Sequence, residues 1–393
     1  MNKKLLILSQ YYSPDIASTG QVLTQLAEDL SKRGIEVKVI TGKTTSSNVP
    51  SYEVLNGVKV WRVNLLRLNK SSTLGRLLSF FSFFLSVLIK LPFIGKFDSV
   101  LIVSNPPMLP IIGHYLKKMK KVKFTFLLHD LYPDVALKMG VTTENSIMTK
   151  AMNWINRKVF ASADHIVVLG RDAKQLLIEK GVKAEKIKII TNWAEDSSVS
   201  SEEIHNIKEK LLSKNKFSIL YTGNIGLFYD LEYIVEAMLR VKDLPIEMIF
   251  VGEGVKKPLL MELVKRYNLT NVRFLPYQPK EDYNSLLQAA DVLLVALAKG
   301  MEGISVPSKT YGYLASGRPI LAVLPAKSEI GQIVKEGNCG IQVEPRDLQG
   351  IEAAIKKLYE NDELRKMLGQ NARDLFEKEY CRQKVTRKFI DVI

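Results

Sequence analysis

The strongest constraint on this chain is a rhythm. Short, continuously apolar runs alternate with amphipathic stretches, and the pattern is played twice. Lys4–Leu8, Val37–Ile40, Val58–Val60, Ser99–Val103, Lys123–Leu128 and His165–Leu169 form the first set. A strand that is apolar at every position, rather than at alternate ones, is one covered by helices on both faces, as in a parallel sheet. The intervening stretches keep helical spacing: in Gln21–Arg33 the apolar residues are Val22, Leu23, Leu26, Ala27 and Leu30, and Gly34 closes the run. After a polar stretch, Glu195–Lys216, the rhythm restarts with Ser218–Tyr221, Glu247–Val251, Val272–Leu275, Val292–Val295, Ile320–Val323 and Gly340–Val343. Two such runs in 393 residues predict an α/β chain of two Rossmann-like, doubly wound domains. The expected bounds are 1–195 and 196–370, with a helical tail, 371–393, returning to the first domain.

Hydrophobic content of 46% and charged content of 25% are those of a globular protein. The two cysteines, Cys339 and Cys381, belong to no metal-binding or disulfide pattern, which suits a reducing compartment. The opening Lys4–Leu8 run is too short for the core of a secretion signal and reads as a strand, so a cytoplasmic location is expected. Charge is unevenly shared. Residues 1–195 carry 28 Lys and Arg against 14 Asp and Glu, whereas 196–393 carry 28 against 27. The first half should therefore meet something anionic: a lipid surface, a diphosphate or a nucleic acid.

One segment breaks the rhythm. Leu77–Ile89 is apolar around its circumference except for Ser79, Ser82 and Ser86, which share one stripe. At about 20 Å it is too short to span a bilayer of roughly 30 Å. Two readings stand: a buried core helix, or a helix dipping into one leaflet through Phe80, Phe81, Phe83, Phe84, Leu85 and Leu88. Arg62, Arg67, Lys70 and the run Lys117, Lys118, Lys120, Lys121 and Lys123 favour the leaflet, because anionic lipid attracts such residues.

Candidate chemistry sits where strands end. After the first strand, Asp15, Thr19 and Gly20 lie at the start of a helix, where free N–H groups and the helix dipole favour an anion. There is no Gly-x-Gly-x-x-Gly fingerprint, which argues against a dehydrogenase. His129-Asp130 follows the strand ending at Leu128, at the edge where open α/β sheets bind ligands, and His129 can bond a sugar hydroxyl or move a proton. In the second domain, Gly223-Asn224-Ile225-Gly226 and Gly252-Glu253-Gly254 follow strands; each is either a nucleotide approach or a tight turn. The richest stretch is Glu302-Gly303-Ile304-Ser305-Val306-Pro307-Ser308-Lys309, leading into a helix. It offers a carboxylate for sugar hydroxyls, backbone N–H groups near Ser305–Ser308 for a diphosphate, and Lys309 as countercharge.

With these residues placed, the chain resembles a GT-B glycosyltransferase of family 4. Within that family it is similar to the fucosyl and N-acetyl-fucosaminyl transferases of bacterial surface-polysaccharide synthesis (WbuB- or WcaI-like). The resemblance is carried by Tyr11-Tyr12-Ser13-Pro14-Asp15, Ser104-Asn105-Pro106-Pro107, His129-Asp130-Leu131-Tyr132-Pro133-Asp134, Gly223-Asn224-Ile225-Gly226, and Val306-Pro307-Ser308-Lys309 with Gly317-Arg318-Pro319. It implies two domains facing across a donor cleft and a retaining transfer that uses no metal or other cofactor. The donor it implies is a nucleotide sugar, UDP-linked in preference to GDP-linked. His129 would lie beside the donor sugar, Gly20 near the diphosphate, Glu302 on the sugar hydroxyls, Lys309 by the phosphates, and Tyr277 against the base. Asp15, Asn105, Asp130 and Asp134 are assigned to the acceptor, expected to be a polyprenyl-diphosphate-linked saccharide at an anionic membrane surface. Two departures matter: no cation follows Gly223-Asn224-Ile225-Gly226, where the family carries an Arg/Lys phosphate clamp, and the second glutamate is missing, with Thr310 or Gly312 in its place.

Competing readings are a sugar-nucleotide epimerase of the same fold, which needs no lipid acceptor, and a non-catalytic membrane scaffold that has lost the clamp. No nucleic-acid partner is expected, since the basic residues are not interleaved with a reading element.

Overall fold

The computed structural model describes residues 3–15, 18–43, 49–66, 73–196 and 199–393. Arg67 and Lys70, counted above among the lipid-facing cations, lie outside these ranges. The chain divides into two compact units, Met1–Thr191 with Gln383–Ile393, and Asn192–Arg382.

The first unit is built on an eight-stranded sheet of β1 (Lys4–Leu8), β2 (Glu36–Gly42), β3 (Tyr52–Leu55), β4 (Val58–Val63), β5 (Ser99–Val103), β6 (Lys123–Leu128), β7 (His165–Val168) and β8 (Ile187–Ile189), in the order β3-β4-β2-β1-β5-β6-β7-β8. All neighbours are parallel except β3 and β4, a hairpin. The second unit carries a parallel six-stranded sheet of β9 (Phe217–Thr222), β10 (Ile246–Val251), β11 (Val272–Leu275), β12 (Val292–Ala296), β13 (Ile320–Val323) and β14 (Gly340–Val343), in the order β11-β10-β9-β12-β13-β14. In both, the order reverses about the first strand. Strands β1 and β5, and β9 and β12, therefore flank the crevice where open α/β sheets take ligands.

Each sheet is buried on both faces. Leu6, Leu8, Ile40, Val100, Ile102, Phe124 and Ile166 belong to one core, and Ile219, Tyr221, Met248, Phe250, Leu294 and Leu321 to the other. The last residues stay with the first unit. Thr386 Oγ1 donates to Asp29 at 3.0 Å, Arg33 donates to the Gln383 carbonyl at 3.2 Å, and Thr125 bonds the Val392 carbonyl.

The structure departs from the sequence reading in three places. Helix Asp362–Leu375 runs through residue 370, the expected end of the second domain, and its Arg373 holds Asp196 by two 2.8 Å bonds. The polar stretch read as a linker contains helix Ser201–Leu211, opened by a Ser200/Glu203 capping box. Strands β3 and β8 were not anticipated.

The segment at Leu77–Ile89 lies in α2, the second helix of the chain after α1 (Ser18–Lys32), and spans Thr73–Lys90. Among the described residues, no helix is long and apolar enough to cross a membrane. Phe83 and Val87 are fully buried, and Phe84 packs on the same core. The serine stripe is the docking face rather than the wet one: Ser82 Oγ accepts from Leu66 N–H at 2.8 Å and Ser86 Oγ donates to the Asn64 carbonyl at 2.8 Å. What faces solvent is apolar, namely Leu78, Phe81, Leu85, Leu88 and Ile89, continued by Phe93.

Candidate active site

In the second unit the loop after β9 and the loop after β12 meet. Lys309 opens helix Lys309–Ser316, which Ser308 precedes without a side-chain cap; Thr310 N–H donates to the Pro307 carbonyl at 3.2 Å and Tyr311 N–H to the Ser308 carbonyl at 3.3 Å. The Lys309 Nζ is buried with no hydrogen-bond partner among the described residues. It sits 3.4 Å from the centre of the Tyr221 ring and 5.1 Å from that of Tyr229, within range of cation–π attraction. Burial pushes its ammonium well below the ordinary lysine value. A Cβ on Gly223 would lie 3.4 Å from this nitrogen, and Gly223 has a φ of +111°. The rings are held in turn: Tyr221 donates to the Asn224 carbonyl at 2.7 Å, and Thr222 N–H donates to the Tyr313 hydroxyl at 3.0 Å. This tyrosine cage had no counterpart in the sequence reading.

Glu302 is placed by the same loop. Its Oε2 accepts from Gly300 N–H at 2.8 Å and its Oε1 meets Lys327 Nζ at 3.2 Å. Burial, the largest influence, raises its pKa, but its own N–H, Lys327 and the Gly300 N–H together outweigh burial and hold it below the usual carboxylate value. Glu302 is therefore an ionised, oriented acceptor suited to hydroxyls. Gly303 and Ile304 are buried under it, while Ser305 turns back so that its N–H bonds the Met301 carbonyl at 3.1 Å. The Pro307 carbonyl accepts from Thr310 Oγ1 at 2.8 Å, so Thr310 is fully engaged and buried rather than available as a ligand. Gly312 faces the Tyr283 hydroxyl, 3.6 Å from where a Cβ would stand.

The second glycine loop has a structural duty. A Cβ on Gly252 would fall 2.0 Å from the Gly223 carbonyl oxygen, because the loops after β9 and β10 are laced backbone to backbone: Gly223 N–H to Val251 and Ile225 N–H to Glu253, both at 2.8 Å. Glu253 spends its carboxylate on Lys257 at 2.7 Å. Asn224 and Tyr277 are exposed beside these loops.

In the first unit the corresponding loops follow β1, β5 and β6. Gly20 is tight against the loop before it: a Cβ would lie 3.3 Å from Tyr12 N and 3.4 Å from the Asp15 carbonyl oxygen. Thr19 and Asp15 flank that contact, both half-buried. Ser104 ties the other two loops together, its Oγ accepting from the N–H groups of His129 and Asp130, each at 3.1 Å. The buried atoms His129 Nε2 and Asn105 Oδ1 have no hydrogen-bond partner among the described residues. Burial lowers the His129 pKa to about 4 and raises that of Asp130 to about 6. The pair is thus a neutral imidazole beside a carboxyl whose charge is costly, an arrangement for bonding an uncharged polyol. Asp134 is used structurally, paired with Lys180 at 2.8 Å.

Arg62 is corrected. It is buried, with its guanidinium 2.6 Å from Glu53 and 2.8 Å from the Ser13 carbonyl, so it braces the loop after β1 and meets no lipid. Lys117 pairs with Asp164, whereas Lys118, Lys120, Lys121 and Lys123 are exposed.

Two family models divide the chain between them. Glycosyltransferase Family 4 matches residues 19–197, and Glycosyl transferases group 1 matches residues 203–375. The chain is a GT-B glycosyltransferase. It is 29% identical to the probable glycosyltransferase WbjE of Pseudomonas aeruginosa, over 91% of this chain and 90% of that one. It is 27% identical to the putative colanic acid biosynthesis glycosyl transferase WcaI of Escherichia coli K12, over 99% of each. The solved structure of Anabaena HepE in complex with UDP-glucose superposes with a TM-score of 0.73 at 15% identity, covering 99% of this glycosyltransferase and 98% of that chain.

Proposed function

We propose that this glycosyltransferase moves a sugar, with retention, from a UDP-linked donor to a polyprenyl-diphosphate-linked saccharide. The setting would be the synthesis of bacterial O-antigen, capsule or exopolysaccharide. The observation that carries the donor half is the buried Lys309 ammonium, unpaired and aimed between Gly223 and two tyrosine rings at a helix start. A buried cation without an acceptor is costly unless a ligand supplies one. A diphosphate supplies several oxygens, and Lys309 takes the place of the missing Arg/Lys clamp without calling on a metal. HepE, whose fold this chain shares, was solved in complex with UDP-glucose, which supports a UDP-linked donor. A 6-deoxy-N-acetylhexosamine is the sugar favoured by the resemblance to the fucosaminyl subgroup.

In the proposed step the C1–O bond to the diphosphate breaks and the acceptor oxygen bonds C1 on the same face. The acceptor's hydroxyl proton passes to the departing phosphate oxygen. Lys309 and the N–H groups around Ser308 stabilise the charge that develops there. Glu302 orients the sugar hydroxyls, and neutral His129 bonds the transferred sugar. Asn105 and Asp130 are assigned to the acceptor, Tyr277 to the base.

The membrane half of the reading rests on α2. Its exposed Phe81, Leu85, Leu88 and Ile89, with the exposed Lys118, Lys120, Lys121 and Lys123 near the start of β6, suit a cytoplasmic peripheral enzyme on anionic lipid. The test is a panel of UDP- and GDP-sugars with released nucleotide as readout, with and without a prenyl-diphosphate saccharide. Acceptor-dependent release from one donor, lost in Glu302→Ala and Lys309→Ala, is expected. Release that ignores the acceptor would return the epimerase, and no binding of any donor would leave the scaffold.

A further inference from the structure

The first unit contains an apolar cavity of about 230 Å³ that the chemistry above does not use. Three helices border it: α2, then α4 (Asp134–Lys138) and α5 (Ile147–Ser162), numbered with α3 (Ile111–Lys120) between. Its lining is unusual in being rich in methionine, with Met108, Met139, Met148 and Met152 around Phe80. Unbranched, polarizable side chains of this kind adapt to an irregular apolar guest. An apolar-lined cavity of about 150 Å³ is known to stay dry and admit a six-carbon ring. This one therefore takes roughly one or two five-carbon units.

Two further walls say what the guest is attached to. Pro107 comes from the loop that carries Asn105, and Tyr132 from the loop that carries His129 and Asp130. The cavity therefore abuts the loops assigned to the acceptor. Beside its lining residues, both flanking helices carry exposed apolar side chains, Leu78 and Phe81 on α2, Ile147 and Trp154 on α5. Trp154 carries Lys158 over its ring at 5.9 Å, and Lys138, Lys150 and Arg157 are exposed nearby on α4 and α5. An aromatic residue among cations at the margin of an apolar surface is the pattern of a lipid–water boundary.

We propose that this cavity holds the first isoprene units of the acceptor lipid, so that the enzyme recognises the tail as well as the saccharide. The proposal rests on the lipid-linked acceptor argued above. A tail seated here is continuous with a head at Asn105 and Asp130, which an independent bilayer acyl chain or an apolar peptide is not.

The experiment compares acceptors in detergent: the same saccharide diphosphate carrying a prenyl tail, a saturated straight alkyl tail, or a methyl group. The wild-type enzyme is expected to show a KM at least tenfold lower for the prenyl form. Ala151→Trp fills the cavity and Met152→Gln makes it polar; each should cut that preference to threefold or less, with an unchanged thermal transition of the first unit confirming an intact fold. A preference retained in both variants overturns the cavity and leaves the lipid acceptor standing. Equal use of prenyl and straight alkyl tails also overturns it. A loss of binding to anionic vesicles in step with the loss of preference would assign the cavity to bilayer lipid instead, and no transfer to any lipid acceptor would remove the reading beneath it.

Discussion

The two units share an architecture and handle charge in opposite ways. In the second, the Lys309 amine, whose charged form burial disfavours until an anion arrives, is held against two tyrosine rings, and a carboxylate is kept ionised by a lysine and two N–H groups. In the first, burial disfavours the charged forms of the residues at the equivalent sheet edge, and exposed lysines gather at the end of α3 and the start of β6. The difference fits two kinds of guest. A diphosphate leaving group needs fixed positive charge, whereas a sugar polyol on a greasy anchor needs uncharged hydrogen-bonding groups and a surface that lipid tolerates.

The division inside α2 gives the largest expected effect. Phe83→Ala removes a fully buried ring and should cost about 3–5 kcal/mol of first-unit stability, read as a lowered thermal transition. The triple change Phe81→Ser, Leu85→Ser, Leu88→Ser should leave that transition within a degree or two and release the protein from vesicles containing anionic lipid. Retention of the triple variant on such vesicles would end the idea that this face meets the membrane.

Lys309→Met comes next. Donor affinity should fall by about 100-fold, or about 2.7 kcal/mol. The melting temperature should hold or rise, because an apolar chain replaces a buried charge that lacks an acceptor. A substantially lowered melting temperature would mean that the tyrosine cage exists to stabilise the fold rather than to hold a countercharge for the ligand. Glu302→Gln is milder. About tenfold should be lost in kcat/KM with the UDP-sugar, while affinity for UDP itself, which has no sugar hydroxyls to bond, stays the same. Equal losses for UDP and UDP-sugar would remove Glu302 from the sugar.

How much of this could be read beforehand varied with burial. Twelve of the described strands were legible, most of them because burial on both faces writes a continuous apolar run. Strand β3 was not, since Tyr52 and Val54 are exposed, although Asn56-Gly57, both at positive φ, spell a tight turn before β4. Helix Ser201–Leu211 hid in its polarity, with Ile207 its only buried residue, even though Ser200 and Glu203 announce its start. Lys309 was visible as a cation at a helix start. Its cage was not, because Tyr221 and Tyr229 reach it only through the fold. Arg62 misled for the same reason: its partner Glu53 comes from the hairpin that sequence reasoning missed. Phe83 was grouped with its neighbours because a helix that is apolar all round does not say which side is inside.

The smallest effect distinguishes the first unit's neutral pair from a mere accident of burial. The His129 pKa falls from 6.5 to about 4, so the stability tied to its neutral form is complete above pH 6.5 and is lost as pH falls toward 4. The Asp130 pKa rises from 3.8 to about 6, so the stability tied to its protonated form is complete below 3.8 and is lost as pH rises toward 6. Between pH 4 and 6 the two slopes oppose each other, and the wild-type profile should be nearly flat there. Asp130→Asn leaves the histidine slope alone: stability should then climb with pH across that window. His129→Phe should leave the reverse slope. Both side chains keep part of their surface in solvent, so each slope is discounted to about 1 kcal/mol from the roughly 3 that full shifts would give. The measurement is the first unit's thermal transition at half-unit steps of pH. Parallel profiles for all three proteins would mean that Ser104 gathers His129 and Asp130 without coupling their protonation to the fold, and the uncharged acceptor site would lose its physical basis.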